Sequence, residues 1–189
     1  MTFIIEILAV TTALLYLFLA ANEDVKCWYA AIISSSLYFF IMINADLIME
    51  ACLQIFYIGM AVFGLNQWRK SYAGNQSIKI KTWELKTHFY VISIILIISL
   101  LSGLLLNKYT NAALPFLDAI TTFGAIITTY MVAIKVLENW LYWFVIDSIS
   151  IYIFVSRELF LTAGLFSVYL IIIIFGYISW KKNLQEKYD

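Results

Sequence analysis

A chain of 189 residues that is 63% hydrophobic and only 13% charged is no soluble domain, where roughly 25% of residues are charged and 45–50% apolar. It reads as an integral membrane protein of one compact helical bundle, and its formal net charge of zero removes any electrostatic case for nucleic acid. The two cysteines, Cys27 and Cys52, have neither metal-ligand spacing nor a disulfide framework, so both read as small apolar residues.

A spanning helix takes about 20 apolar residues, with a range near 17–25. Seven segments qualify, roughly 3–21, 27–43, 46–68, 88–106, 115–134, 139–156 and 159–180. The first starts without a basic n-region and carries Glu6 near its beginning, so it reads as a mature spanning helix rather than a cleaved leader. No appended soluble domain is expected, and binding and transport are therefore sought among the helices. Short breaks at Asn22 to Lys26, Asn44 to Ala45, Asn107 to Leu114, Lys135 to Glu138 and Ser156 to Glu158 make sequential helices antiparallel neighbours. The one long polar stretch, Arg69 to Thr87 with Gly74-Asn75-Gln76-Ser77 inside it, reads as a flexible connector. Pro115 is the single proline.

Basic residues set the orientation. With seven spans, Lys26, Arg69, Lys70, Lys79, Lys81, Lys86, Lys135, Lys181, Lys182 and Lys187 share one side, and only Lys108 and Arg157 lie on the other. The C-terminus is expected in the cytoplasm and the N-terminus outside.

The chain also repeats. A shift of 112 residues pairs Trp28 with Trp140, Ser36 with Ser148, Ile41 with Ile153, Leu47 with Leu159, Ala51 with Ala163 and Leu53 with Leu165. It further pairs Tyr57 with Tyr169, Phe63-Gly64 with Phe175-Gly176, Trp68 with Trp180 and Lys70 with Lys182, eleven ungapped identities in all. The rare residues carry the argument. Residues 1–68 and 115–189 then form two three-helix units, and 69–114 supply a cytoplasmic loop and a linker helix. One linker helix restores the starting side, so the copies point the same way. Parallel repeats of this kind belong to transporters, with the substrate site between the halves near the midplane. The expected fold is all-α, seven transmembrane helices in a 3+1+3 parallel repeat.

Polar groups concentrate where the copies differ. Asp147 stands opposite Ser35, Trp143 opposite Ala31, Gln54 opposite Phe166 and Asn66-Gln67 opposite Ile178-Ser179. Trp140, Trp143 and Asp147 are spaced i, i+3 and i+7, which puts them on one helix face. Asp147 lies about 12 Å along the helix from Asn139, and a charge at that depth costs on the order of 2.5–3.5 kcal/mol or more. Such a residue needs a reason, and a ligand is a candidate beside a structural hydrogen bond to a neighbouring helix. The two tryptophans can stack on a flat heterocycle and favour a cation, or serve as interfacial anchors, which fits Trp140 beside Asn139. Gln54 can both donate and accept hydrogen bonds, or join helices; Tyr57, repeated as Tyr169, fits a shared packing role better than binding. Asp118 follows Pro115, with Thr121 and Thr122 one turn on, and can cap the helix start. Trp68 and Trp180 read as interfacial anchors, Glu138 as a partner of Lys135 or of interfacial water, and His88 as a lone edge residue. No catalytic triad, metal cluster or phosphate-cradling loop emerges, so neither an enzyme nor a cofactor is expected.

Asp118-Ala-Ile-Thr-Thr, the block Leu137-Glu-Asn-Trp-Leu-Tyr-Trp-Phe-Val-Ile-Asp, Leu53-Gln-Ile-Phe-Tyr through Val62-Phe-Gly and the final Phe175-Gly-Tyr resemble the PnuC family of bacterial vitamin transporters over nearly the whole chain. The resemblance implies a SWEET-like fold of three helices, a linker and three more. It also implies uptake of nicotinamide riboside across the cytoplasmic (inner) membrane by facilitated diffusion, with a cytoplasmic kinase trapping the product. Relatives carrying thiamine or riboflavin make thiamine the second reading. Many members have asparagine at the position of Asp147 and tryptophan at that of Leu65. The substrate-binding candidates are Trp140, Trp143, Asp147, Gln54, Tyr57, Asp118, Thr122 and Asn139. The partners implied are a small-molecule vitamin, the lipid bilayer and the kinase; oligomeric state is open, a homo-oligomer included. A proton-coupled carrier with Asp147 protonating in each cycle, and a membrane-embedded enzyme using Asp118, Glu138 and Asp147, are the readings from other classes.

Overall fold

The computed structural model describes residues 2–44, 48–72, 78–110 and 113–186. Among them are seven α-helices: α1 (Thr2–Ala21), α2 (Cys27–Asn44), α3 (Ile48–Tyr72), α4 (Leu85–Tyr109), α5 (Pro115–Ala133), α6 (Asn139–Ser156) and α7 (Phe160–Gln185). The apolar runs marked their interiors. At four ends the helix continues past the run, because Lys, Arg, Leu and Gln are good helix formers and carry the end of α3, both ends of α4 and the end of α7 into the polar boundary. Pro115 opens α5 at a position where its missing N–H costs nothing.

Among the described residues, six helices are long and apolar enough to cross a membrane. In α3, Gln54, Asn66, Gln67 and Arg69 dilute the apolar run. Its 25 residues still make about 37 Å of helix, against a hydrocarbon core of roughly 30 Å. The chain is a multi-pass membrane protein.

Helix α1 packs on α2, α2 on α3, α3 on α5, α5 on α6, α6 on α7, and α7 back on α1. Six helices thus close a ring. Helix α4 lies outside it, packed on α5, and presents Phe89, Ile97, Leu101 and Leu105 outward, as a lipid-facing helix does. Ser99 and Gly103 face inward, where the Phe116 ring leaves no room for a Cβ at Gly103.

The ends of α1, α3, α5 and α7 gather at one face of the ring. Trp28 meets Trp68 edge-on at 5.4 Å and 88°, and Trp140 meets Trp180 at 5.5 Å and 89°. Trp68 and Trp180 join the two pairs at 6.1 Å. The same spacing of 112 residues relates both pairs and the glycine beneath each. Gly64 lies against the Trp28 indole, and a Cβ at Gly176 would stand 2.6 Å from Trp140. Without a hydrophobic drive in lipid, such close packing is what holds helices together, and each edge-on pair contributes about 0.5–1.5 kcal/mol beyond its buried area.

Both Trp68 and Trp180 are buried, 1% and 0% exposed, which corrects their reading as interfacial anchors. The Trp68 indole N–H donates to Ala133 O (3.1 Å) and that of Trp180 to Ala20 O (3.0 Å). A tryptophan beside lysine at a helix end looks alike in sequence whether it faces headgroups or a neighbouring helix.

The connector is also corrected in part. Gly74-Asn75-Gln76-Ser77 lie outside the described residues. Beyond them the chain docks on the α5–α6 turn. Lys81 N donates to Lys135 O (3.0 Å), Leu137 N donates to Lys81 O (2.9 Å), and Ile80 is buried. Trp83 N donates to Glu138 Oε2 at 3.3 Å. His88 Nδ1 and the Tyr142 hydroxyl share a 2.9 Å hydrogen bond, so the lone edge histidine fastens α4 to α6.

Candidate functional site

Inside the ring is a cavity of about 210 Å³. Tyr16 and Ala13 of α1, Trp28, Ala31, Ser34 and Ser35 of α2, Tyr57 and Ala61 of α3, Thr129 of α5 and Trp143 of α6 line it. Four aromatic rings and a few hydroxyls in an apolar enclosure are the usual make-up of a site for a flat heterocycle. The hydroxyls differ in what they can still do. Ser34 donates to Ala9 O and Thr129 to Ala125 O, so their protons are engaged. Ser35 has no hydrogen bond among the described residues, and it occupies the position that Asp147 holds in the second half.

The structure distributes the sequence candidates over three places. Trp143 and Tyr57 line the cavity. Asp147, one helical turn beyond Trp143, is 4% exposed, within electrostatic reach of Tyr57 and Tyr169, and no hydrogen bond or ion pair meets its carboxylate among the described residues. A buried carboxylate left in that state is costly unless a ligand or a proton completes it. Gln54 is half-buried on α3, one turn from Tyr57 towards the far end.

Trp140 and Asn139 belong to the tryptophan face. Trp140 is 1% exposed, wedged between Trp180 and Gly176. Asn139 is fully buried, its amide donates to Val136 O at 2.7 Å, and its Oδ1 has no partner.

Asp118 and Thr122 belong to the opposite end. The Asp118 carboxylate accepts from Arg157 Nη2 at 2.7 Å, with both side chains about one-third exposed. It sits in the first turn of α5 without making a capping hydrogen bond, and the pair ties α5 to the α6–α7 turn. Thr122 is half-buried one turn further on.

Lys135 pairs with Glu23 at 2.6 Å, not with Glu138. The positive φ of Lys135 turns its side chain towards the α1–α2 turn, while Glu138 stays with Trp83 and His88. Among the cavity residues, Tyr16, Trp28 and the Ser34–Ser35 pair stand outside the substrate-binding candidates that the sequence offers. The repeat marked Trp28, but as scaffold; nothing in a run of small residues on α2 distinguishes a cavity wall from a helix contact.

The model of the family described as nicotinamide mononucleotide transporter matches residues 3–182. The nicotinamide riboside transporter PnuC of Escherichia coli (strain K12) is 22% identical over 208 aligned residues, covering 97% of this chain and 87% of the relative. That of Neisseria mucosa is 25% identical over 191 residues, 94% of this chain and 72% of the relative. A crystal structure of the vitamin B3 transporter PnuC superposes with a TM-score of 0.76 at 21% identity, over 95% of this chain and 81% of that one, and so shares the fold. With a match that runs from α1 into the last turns of α7, the chain belongs to the nicotinamide mononucleotide transporter family, whose members are membrane carriers rather than enzymes.

Proposed function

We propose that this protein carries nicotinamide riboside across the bacterial inner membrane, binding it in the cavity between Tyr57 and Trp143. The observation that carries this reading is the unpartnered Asp147 carboxylate one turn beyond a Trp143 that walls the cavity. The pyridinium ring of the riboside is flat and positive. Trp143 and Tyr57 offer faces to it, Asp147 offsets its charge, and Gln54 reaches its carboxamide. Ser35 is left for a ribose hydroxyl. The curated relatives named as nicotinamide riboside transporters support the substrate. Trp140 backs Trp143 from the tryptophan face, and Asp118 with Arg157 holds the outer ends of α5 and α6 together.

Transport is passive in this reading. No carboxylate is among the residues that line the cavity, Asp147 lies one turn beyond them, and no cage of oxygens for a coupling ion is formed among the described residues; a cytoplasmic kinase that phosphorylates the riboside fixes the direction by mass action. The lysine-rich end, which carries Trp68, Trp180 and the α5–α6 turn, faces the cytoplasm, and the N-terminus faces outward. The two three-helix halves rock about the cavity. Thiamine remains the second reading, because its thiazolium is also a flat cation.

A binding titration of purified protein against nicotinamide riboside, thiamine and riboflavin, read by tryptophan fluorescence, tests the substrate. The riboside should quench at the lowest concentration. Quenching by thiamine with no response to the riboside would overturn the choice.

A further inference from the structure

We propose that Glu23 and Lys135 are the latch that keeps the cytoplasmic end of the transport path shut, and that breaking this pair is a required step of opening inward. The proposal rests on the transporter reading above but not on which vitamin is carried.

The two residues are 112 apart in sequence. Each follows the last turn of its helix, Glu23 after α1 and Lys135 after α5. The turns match bond for bond. Glu23 N donates to Ala20 O and Lys135 N to Val132 O, both at 3.0 Å; Asp24 N donates to Leu19 O and Val136 N to Met131 O, both at 2.9 Å. These are Schellman closures, in which the residue just past the helix adopts the left-handed conformation, usually as glycine. Here that residue is Glu23 with φ 55° and Lys135 with φ 54°. Glu158 after α6 closes its helix in the same way with φ 60°, but only at Glu23 and Lys135 do two such turns bring opposite charges together across the meeting point of the halves.

Every side-chain partner of the pair comes from the opposite half. Lys135 donates to Glu23 Oε2 at 2.6 Å and stands 4.5 Å over the Trp68 ring. Glu23 accepts from Lys135 and, at 2.7 Å, from Asn183 of α7. The tryptophan bonds cross in the same manner, Trp68 to the end of α5 and Trp180 to the end of α1. Separating the halves at this end therefore breaks the whole set together.

The pair is also where a latch must be. Trp28 walls the cavity and meets Trp68, Trp68 meets Trp180, and Lys135 caps Trp68. The charges are largely withdrawn from solvent, with side chains 10% and 17% exposed. A buried ion pair adds little net stability, but losing one partner strands the other. That suits a contact that must be either made or fully released into water, as the two end states of a carrier require.

The test uses a full chain with Cys27→Ala and Cys52→Ala and a reporter, Ala31→Cys, in the cavity wall. A charged, membrane-impermeant maleimide is added to inside-out or right-side-out membrane vesicles without substrate. Glu23→Gln and Lys135→Gln should each raise the labelling rate from the cytoplasmic face at least tenfold, with no change from the outer face. Lys135→Arg, which can still reach Glu23 and cover Trp68, should stay within twofold of the parent. The proposal is overturned if both neutral variants leave the rate unchanged, or if they raise it alike from both faces, which would indicate a loosened bundle. No vitamin enters the assay, so a wrong substrate would appear only in the binding titration.

Discussion

Trp140 and Trp143 are three residues apart on one helix face, yet they do different work. Trp143 walls the cavity, whereas Trp140 is locked against Trp180 and Gly176. Trp143→Ala should therefore weaken riboside binding at least tenfold with little change in melting temperature. Trp140→Ala should unfold the protein at lower temperature, by the roughly 3–5 kcal/mol typical of emptying a packed tryptophan site; fluorescence-detected thermal unfolding with a parallel titration separates the two. Asp147→Asn keeps the shape and removes the charge. It should weaken binding of the cationic riboside about tenfold, near 1.4 kcal/mol, and leave binding of the neutral reduced riboside unchanged. Equal loss for both ligands would make Asp147 a hydrogen-bonding residue rather than a counter-charge. The difference between the two tryptophans was half legible in the sequence. Trp140 has a repeat counterpart in Trp28 and Trp143 has none, which marks the second as the asymmetric one. What could not be read is that Trp28 itself borders the cavity, because a residue's position in a repeat does not say which side of a helix pair its ring enters.

At the scale of the element, the helices were legible because a spanning segment is long and apolar and its breaks are polar. The observed spans differ from the apolar runs mainly where charged helix formers extend α3, α4 and α7. Two elements were not legible. The strand-like segment around Lys81 is short and charged, and only its docking on the Lys135–Leu137 turn makes it ordered. The burial of Trp68 and Trp180 depends on helices that are distant in sequence. The glycines under the tryptophans make this testable. Gly176→Ala should destabilise by about 1–3 kcal/mol, the usual cost of overpacking, because the added Cβ meets the Trp140 ring. Gly164→Ala on the same helix has nothing within 4 Å and should be neutral or stabilising by up to about 1 kcal/mol. Thermal unfolding of the two variants side by side checks the pair; equal effects would mean that Gly176 is not a packing residue.

For the whole molecule, the spacing of 112 residues recurs in the contacts that close one face: edge-on tryptophan pairs, their glycines, the turns after α1 and α5, and the ion pair that joins those turns. Aligning the halves by identity passes over Glu23 and Lys135, since the two residues differ in kind, although the same offset places them together. The cavity leans towards α1, α2 and α3, with Thr129 and Trp143 closing it from the other half, so the asymmetry of the site is larger than the polar differences alone suggested. The function proposed above has the carrier bind a cation between halves that rock, without a coupling ion. Uptake of radiolabelled nicotinamide riboside into proteoliposomes tests that claim most directly. The riboside should enter until inside and outside concentrations match, at least tenfold slower with Trp143→Ala, and at a rate unchanged by an imposed pH gradient. Entry no faster than into protein-free liposomes, or entry that collapses when the pH gradient is removed, would contradict the account.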